Sequence, residues 1–353
     1  MLAKRKMVLA AVFVTMAVAI PAVPPIGQNN YYLSIMVTTG IWIILVSSLN
    51  LVVGYAGQVS MCHAAFFGIG AYASALLTLK AGWPFWFALP TAGIVGGVFG
   101  LLVGRPFTRL SGHYLAIATL AFGAIVTAIF ERWDALTYPP GEGAIVRSIP
   151  RPEPLPLLPL DFRNQAHYYY LVLAVVLLTI WTVHRLVNSR FGRALVAIRE
   201  DETLAQSVGI ATARYKTQAL AISALFAGLA GSLYAHYSHS ITPGAFVFLQ
   251  SFYMVVAVII GGAGSTSGAI VGAIFLRVIP EILRIRIPQP WIPDFITLLF
   301  GAILIAVIMF SPSGLVRLGQ SVKASWATQQ IGWPLWARGL KRAVTAVFPG
   351  EPD

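Results

Sequence analysis

The sequence predicts an all-α, polytopic membrane protein of about ten transmembrane helices, broken at glycine-rich segments, with both termini in the cytoplasm. Three observations predict it: the composition, the spacing of charge-free runs, and the charge of the loops between them. Of 353 residues, 58% are hydrophobic and only 10% charged, against about 25% charged in soluble domains. A charge at the centre of a membrane helix costs roughly 2.5–3.5 kcal/mol on insertion scales, so runs without Asp, Glu, Lys or Arg mark where the chain lies in lipid.

Taken in order, residues 7–79 carry no charge, which at about 20 residues per crossing is room for three helices. The first of them, in residues 1–23, has the layout of a signal peptide. Lys4, Arg5 and Lys6 precede an apolar run, and Ala17, Val18 and Ala19 resemble a cleavage site. Because further spans follow, it is read as an uncleaved signal-anchor that serves as the first helix. Residues 81–104, 110–130, 164–184 and 295–316 supply one helix each. The run 217–276 holds two crossings and most of a third, expected to finish near Pro280.

Loop charge sets the orientation. Lys4, Arg5 and Lys6, the Arg105 to Arg109 turn, and a tail with Arg317, Lys323, Arg338, Lys341 and Arg342 are basic and belong in the cytoplasm. So does the segment 185–216, with six basic residues. The connector 132–167 balances four arginines against Asp134, Glu142, Glu153 and Asp161 and fits the outer face. Ten crossings satisfy all of these at once. The chain thus divides into a transmembrane domain, 1–316, which includes the outer proline-rich loop 132–167 and a cytoplasmic helix at 189–212, and a basic, aromatic tail, 317–353. Seven prolines from Pro139 to Pro159 exclude a helix and favour extended backbone, either a flap over the outer mouth or a spacer. The tail places Trp326, Trp333 and Trp336 among basic residues, as an interfacial segment would; a disordered tail is the alternative.

Composition also excludes several functions. The net charge of +12 has its ordinary source in loop arginines of a membrane protein, so no nucleic-acid partner is expected, whereas membrane lipid is. A single cysteine, Cys62, excludes a disulfide framework within the chain. His236 and His239 stand three apart, as a helical metal pair could, but no carboxylate or third histidine completes a site. No metal site is expected, and no nucleophile, base and orienting acid can be assembled, so no catalytic residue is assigned.

Three segments carry a mechanism. Between Leu49 and Leu77, Gly54, Gly57, Gly68 and Gly70 interrupt an apolar run, and Asn50, Gln58, Ser60 and His63 sit beside the interruptions. Irregular backbone at membrane depth is tolerated only where protein covers it or water reaches it, so the segment reads as a broken helix lining a pathway. Close helix packing is the other reading of its glycines. The motif Gly54-x-Ala56-Gly57-x-x-Ser60 recurs as Gly261-x-Ala263-Gly264-x-x-Ser267, as an internal duplication or by chance. The second copy is no phosphate loop, since no Walker pattern occurs, and a tight break between two membrane helices accounts for it. In 189–216, Ala194, Leu195, Ile198, Leu204, Ala205 and Val208 fall at helical spacings ahead of a stop at Gly209, which predicts an amphipathic surface helix.

These three segments, Ser48 to Leu77, Phe191 to Ala235 and Val255 to Ala273, resemble in order the signature segments of the branched-chain amino-acid ABC transporter permeases of the LivM type. The resemblance implies a multi-pass subunit of the bacterial inner membrane that pairs with a second, related permease, sits on two ATP-binding-cassette ATPase subunits and receives substrate from a periplasmic binding protein. It implies no cofactor in this chain, ATP and magnesium being held by the ATPases. Carried over by position, Gly192, Arg193, Ala194, Arg199, Glu200, Asp201, Glu202, Ala205 and Gly209 form the helix that couples to the ATPase. Asn50, Gly54, Gly57, Gln58, Ser60, His63, Phe66, Phe67, Gly70 and Tyr72 match the first signature, and Gly261, Gly262 and Gly264 the third; together they are the expected translocation pathway. One departure stands out: Leu136 and Thr137 are followed by Tyr138 and Pro139 where the family has paired glycines, which leaves the outer mouth unassigned. The function expected is import of branched-chain or other hydrophobic amino acids by alternating access. Import of urea, short amides or sugars is an alternative, and an ion-coupled secondary transporter or channel is an alternative of another class. The last would need an ionisable residue buried at mid-membrane, and Arg277 is expected near an outer helix end.

Overall fold

The computed structural model describes residues 29–110, 112–133, 145–154 and 161–286, together with residues 301, 302 and 305. The expected first helix, most of the expected last one, the tail 317–353 and the Leu136 to Pro139 departure lie outside the described residues. Within them the chain is all-helical. Helix α1 (Asn30–Asn50) runs on into a π-helical turn, Leu51–Tyr55. Then follow α2 (His63–Leu79), α3 (Phe85–Phe107), α4 (Gly112–Arg132), α5 (Gln165–Val187), α6 (Arg190–Glu200), α7 (Glu202–Ser207) and α8 (Thr212–Ser238). A 3-10 turn, Pro243–Phe246, leads into α9 (Phe248–Gly261), and α10 (Thr266–Arg286) closes the described part.

Seven of these are long and apolar enough to cross a membrane, and α2, at 17 residues, is a shorter apolar helix. They coincide with the charge-free runs, and two of them, α1 and α5, start on a side-chain cap, as does the surface helix α6. The side chains of Asn29, Asn164 and Ser189 accept hydrogen bonds from the N–H groups of Tyr31, Ala166 and Phe191, which satisfies donors that a helix start leaves open. One expected boundary is corrected. Pro280 does not end its helix: α10 passes through it to Arg286, as proline in a membrane helix can when its neighbours satisfy the freed backbone. Arg277 therefore lies about two and a half turns inside α10 instead of at its end.

Helix α8 is the axis of the bundle, and small residues let its neighbours close on it. Gly93, Gly96, Gly100 and Gly104 line the face of α3 that meets α8. A Cβ on Gly100 would stand 2.7 Å from the Ala224 Cβ and 2.9 Å from the Ala221 Cα, so the backbones approach as closely as glycine permits. Gly93 meets Leu229 while Gly104 meets Thr217, which makes α3 antiparallel to α8. Gly70 meets Gly228, and Ser74 lies 2.7 Å from Ser232, which makes α2 parallel to it. Helices α6 and α7 lie across the end where α8 begins, hereafter the α6 end.

Two elements start inside the bundle. The loop after Tyr55 turns back inward, so that His63, at the start of α2, brings its Nε2 within 3.2 Å of the Ser48 hydroxyl, about 10 Å above Tyr55 at 1.5 Å per residue. From the far end, the chain after α8 pairs Ile241 with Val146. It then dips inward to put Phe246 against Phe67, Tyr72 and Phe130 before α9 begins. The first turns of α2 and α9 meet, the Ala64 N–H donating to the Ser251 hydroxyl at 2.8 Å.

Candidate functional site

The two glycine motifs, 207 residues apart in sequence, come together at the α6 end around one side chain. Asn50 is fully buried. Its Oδ1 accepts from the Gly264 N–H at 3.0 Å, and its Nδ2 donates to the Ser265 carbonyl at 3.1 Å. A buried amide is thereby satisfied by the loop between α9 and α10, and that loop by the amide. Gly57 and Gly264 occupy corresponding places and both have positive φ, +69° and +78°, which L side chains adopt only with strain. Gly261 packs on Gly268, and Gly262 also has positive φ, so the break between α9 and α10 is as tight as the sequence predicts.

Arg199 of α6 reaches into the same junction. Its Nη1 donates to the Gly54 carbonyl at 2.6 Å, and its Cγ stands 2.9 Å from where a Cβ on Gly57 would be. The carbonyl is available because Gly54 lies in the last turn of the helix, where carbonyls have no partner further along it. One guanidinium therefore joins the surface helix to the end of α1, and Asn50 joins α1 to the α9–α10 loop.

The surface segment is two helices, not the single one the spacing predicts. Asp201 ends α6 and caps α7, its Oδ1 accepting from Thr203 and Leu204. Gly209, with φ +84°, supplies the expected stop. Gly192, Ala194 and Ala205 are buried and seat the pair on the bundle, while Arg193 and Glu200 are exposed. Glu202 is held within the chain by Lys216, 2.5 Å from its Nζ, which fastens α7 to the start of α8. Of the apolar positions at helical spacing, Ala194, Leu195, Ile198 and Ala205 face inward, but Leu204 and Val208 are 65% and 75% exposed, and Val196 of α6 is exposed as well.

The remaining expected pathway residues divide. Gln58 borders a niche of about 120 Å³ beside Arg199, Glu202 and Lys216. Ser60 is buried with its hydroxyl 3.3 Å from the Cys62 sulfur. His63 is buried on Ser48. Phe66 packs on Phe122 and Tyr72 stacks on Phe130, with ring centroids 5.7 and 4.3 Å apart. Gly70, against Gly228, is a packing glycine. Phe67 alone of the set borders a cavity of about 370 Å³ between α1, α8, α9 and α10. Sequence reasoning missed the polar lining of that cavity: Thr38, Trp42, Tyr234, Gln250, Tyr253 and Arg277. One signal was there to find it, since Arg277 is the single charge between Lys216 and Glu281.

At the far end His236 and His239 hold the connector. His236 places Nδ1 2.6 Å from the Pro150 carbonyl and Nε2 3.0 Å from the Ser74 hydroxyl. His239 accepts from Arg151 Nε at 2.9 Å. The Trp86 indole donates to the Glu153 carbonyl at 3.0 Å. Residues 145–154 are thus fastened to α3 and α8, and among the described residues no metal-binding cluster occurs.

Comparison with known proteins agrees with the architecture. The family model described as "Branched-chain amino acid transport system / permease component" matches residues 31–308. The "High-affinity branched-chain amino acid transport system permease protein LivM" of Escherichia coli strain K12 is 34% identical over 89% of this chain and 76% of its own length. The "High-affinity branched-chain amino acid transport system permease protein LivH" of the same strain is 26% identical over 76% of this chain and 88% of its own length. The "Autoinducer 2 import system permease protein LsrC" of Enterobacter sp. strain 638 is 27% identical over 63% of this chain and 61% of its own. No solved structure matches the chain.

Proposed function

The chain belongs to the branched-chain amino acid ABC permease family, and from that premise we infer how a subunit with no catalytic chemistry of its own is driven. It is a multi-pass membrane permease, the non-catalytic component of a branched-chain amino acid transport system. In our reading the α6 end faces the cytoplasm, as the positive charge of 185–216 favours, and the ten crossings expected from the sequence leave both termini inside. One of the two ATPase subunits seats on α6 and α7, where Val196, Leu204 and Val208 are exposed apolar residues and Arg193 and Glu200 exposed charges. ATP and magnesium are handled on those chains. Similarity to both LivM and LivH proteins supports pairing with a second, related permease. A periplasmic binding protein delivers branched-chain or other hydrophobic amino acids to the far end.

The observation that carries this reading is the Arg199 to Gly54 hydrogen bond. A movement of α6 imposed from outside the bundle acts through it on the π turn of α1. Asn50 then passes the movement to the loop that joins α9 and α10. The Lys216–Glu202 pair keeps α7 in step with α8, so the surface pair moves as a lever and not as a loose loop. The helices that line the 370 Å³ cavity are among those so connected, and alternating access follows if their two arrangements open it to opposite sides.

Gentle solubilisation is expected to recover this chain with a second permease and two ATPase polypeptides. Sustained amino-acid uptake by vesicles containing this polypeptide alone would overturn the reading.

A further inference from the structure

We propose that the cavity between α1, α8, α9 and α10 is a station for a zwitterionic aliphatic amino acid, with the substrate carboxylate received by Arg277. The proposal rests on the importer reading and deepens it.

A cation inside a membrane helix needs a reason, because its insertion costs roughly 2.5–3.5 kcal/mol and such residues pair or line a route. Arg277 has no carboxylate partner among the described residues. Its Nε donates at 3.3 Å to the neutral Thr38 hydroxyl. Glu281, one turn further along α10, accepts from the Tyr31 hydroxyl. The guanidinium borders the cavity, with donors in the planar fork that binds carboxylates two at a time.

The lining is graded in a way that suits an amphipathic molecule. On α1, Thr38 precedes Leu45 by about 10 Å, and on α9, Gln250 precedes Met254 by about 6 Å, both helices descending toward the α6 end. The polar end of the cavity, with Arg277, Thr38 and Gln250, thus lies toward the far side. Ile41, Leu45, Phe67 and Met254 form the deeper, apolar end. A volume near 370 Å³ falls in the range of small-molecule sites, which are mostly apolar with a few placed polar groups. Carboxylate on the cation and aliphatic side chain below it is the arrangement this gradient selects. Tyr234 and Tyr253 also border the cavity, and an aromatic ring face there can receive the ammonium group.

The test uses the complete complex with its partner permease and ATPases. Leucine and leucinamide, which lacks the carboxylate charge, are the probes. Leucine binding to the nanodisc-embedded complex without binding protein is followed by saturation-transfer NMR, and uptake is followed in proteoliposomes with binding protein. The wild-type complex is expected to bind leucine and not leucinamide. Arg277→Gln should abolish that binding and lower leucine uptake at least tenfold with subunit recovery unchanged, while Arg277→Lys, which keeps the charge but not the fork, should fall between. Met254→Trp, which fills the apolar end, should lower leucine uptake several-fold more than alanine uptake. Equal binding of leucinamide, or normal leucine binding and uptake by Arg277→Gln, would overturn the station and leave the importer intact. No leucine uptake by the assembled wild-type complex would overturn both.

Discussion

Arg199→Ala is the sharpest perturbation of the proposed drive. The change removes a hydrogen bond of 2.6 Å from a charged donor to the Gly54 carbonyl. Such bonds contribute about 1.5–3 kcal/mol when well buried. Arg199 is largely exposed, so solvent competes and roughly 1–1.4 kcal/mol is a fairer figure, a factor of about five to ten in the equilibrium between linked and unlinked junctions. The fold should survive, because the bundle core does not depend on this side chain and Arg199 itself borders the 120 Å³ niche, from which water can enter the space it leaves. What changes is transmission. In proteoliposomes of the assembled complex, ATP consumed per amino acid imported should rise about five- to tenfold. Arg199→Lys, which keeps the charge but not the planar fork, should fall between. A wild-type ratio in Arg199→Ala, with uptake and hydrolysis both normal, would refute the idea that this contact carries the stroke.

Three further outcomes are expected. Asn50→Ala leaves the Gly264 N–H and Ser265 carbonyl without their buried partner; at about 1–3 kcal/mol per unsatisfied group, the solubilised protein should unfold several degrees lower and uptake should fall more than hydrolysis does, and unchanged values in both would remove Asn50 from the linkage. Leu204→Asp with Val208→Asp alters two residues that are already exposed, so insertion and expression should hold while recovery of the ATPases drops at least tenfold; undiminished recovery means the ATPases seat elsewhere. Ser207→Cys, on the exposed side of α7, should resist an impermeant thiol reagent in intact spheroplasts and react once the membrane is opened, with little background because Cys62 is buried. Labelling in intact cells would place the α6 end outside and invert the proposed topology.

Much of the fold was legible because a membrane limits what a chain can do. Charge-free runs located every described membrane helix, and Gly57, Gly209, Gly262 and Gly264, singled out in the sequence, have positive φ, whereas Gly68 and Gly70, read there as interruptions, lie inside the continuous helix α2. What stayed hidden depends on contacts between distant segments. Asn50 could be singled out, but not as the strut between the two glycine motifs, since nothing in either motif states that they meet. The period of 189–212 was read correctly for α6 and misled for α7, because Asp201 breaks the helix and turns Leu204 and Val208 outward. Pro280 reads as a stop in the sequence and would put Arg277 at a helix end; the helix instead continues to Arg286, its neighbours overriding the local signal. The cavity lining comes from six elements with one or two turns from each, so no single stretch of sequence announces it.

The meeting of α2 and α9 has a consequence for leakage. Each of these helices begins in the interior and brings there the electropositive pole of its peptide dipoles, roughly half a unit of charge apiece. The Ala64 to Ser251 hydrogen bond sets the two poles side by side. Small cations approaching the middle of the molecule meet a repulsive field that a zwitterion, overall neutral, largely escapes. Under the proposed alternating-access mechanism, this field would let the bundle change its opening while the gradients of protons and sodium across the membrane are kept.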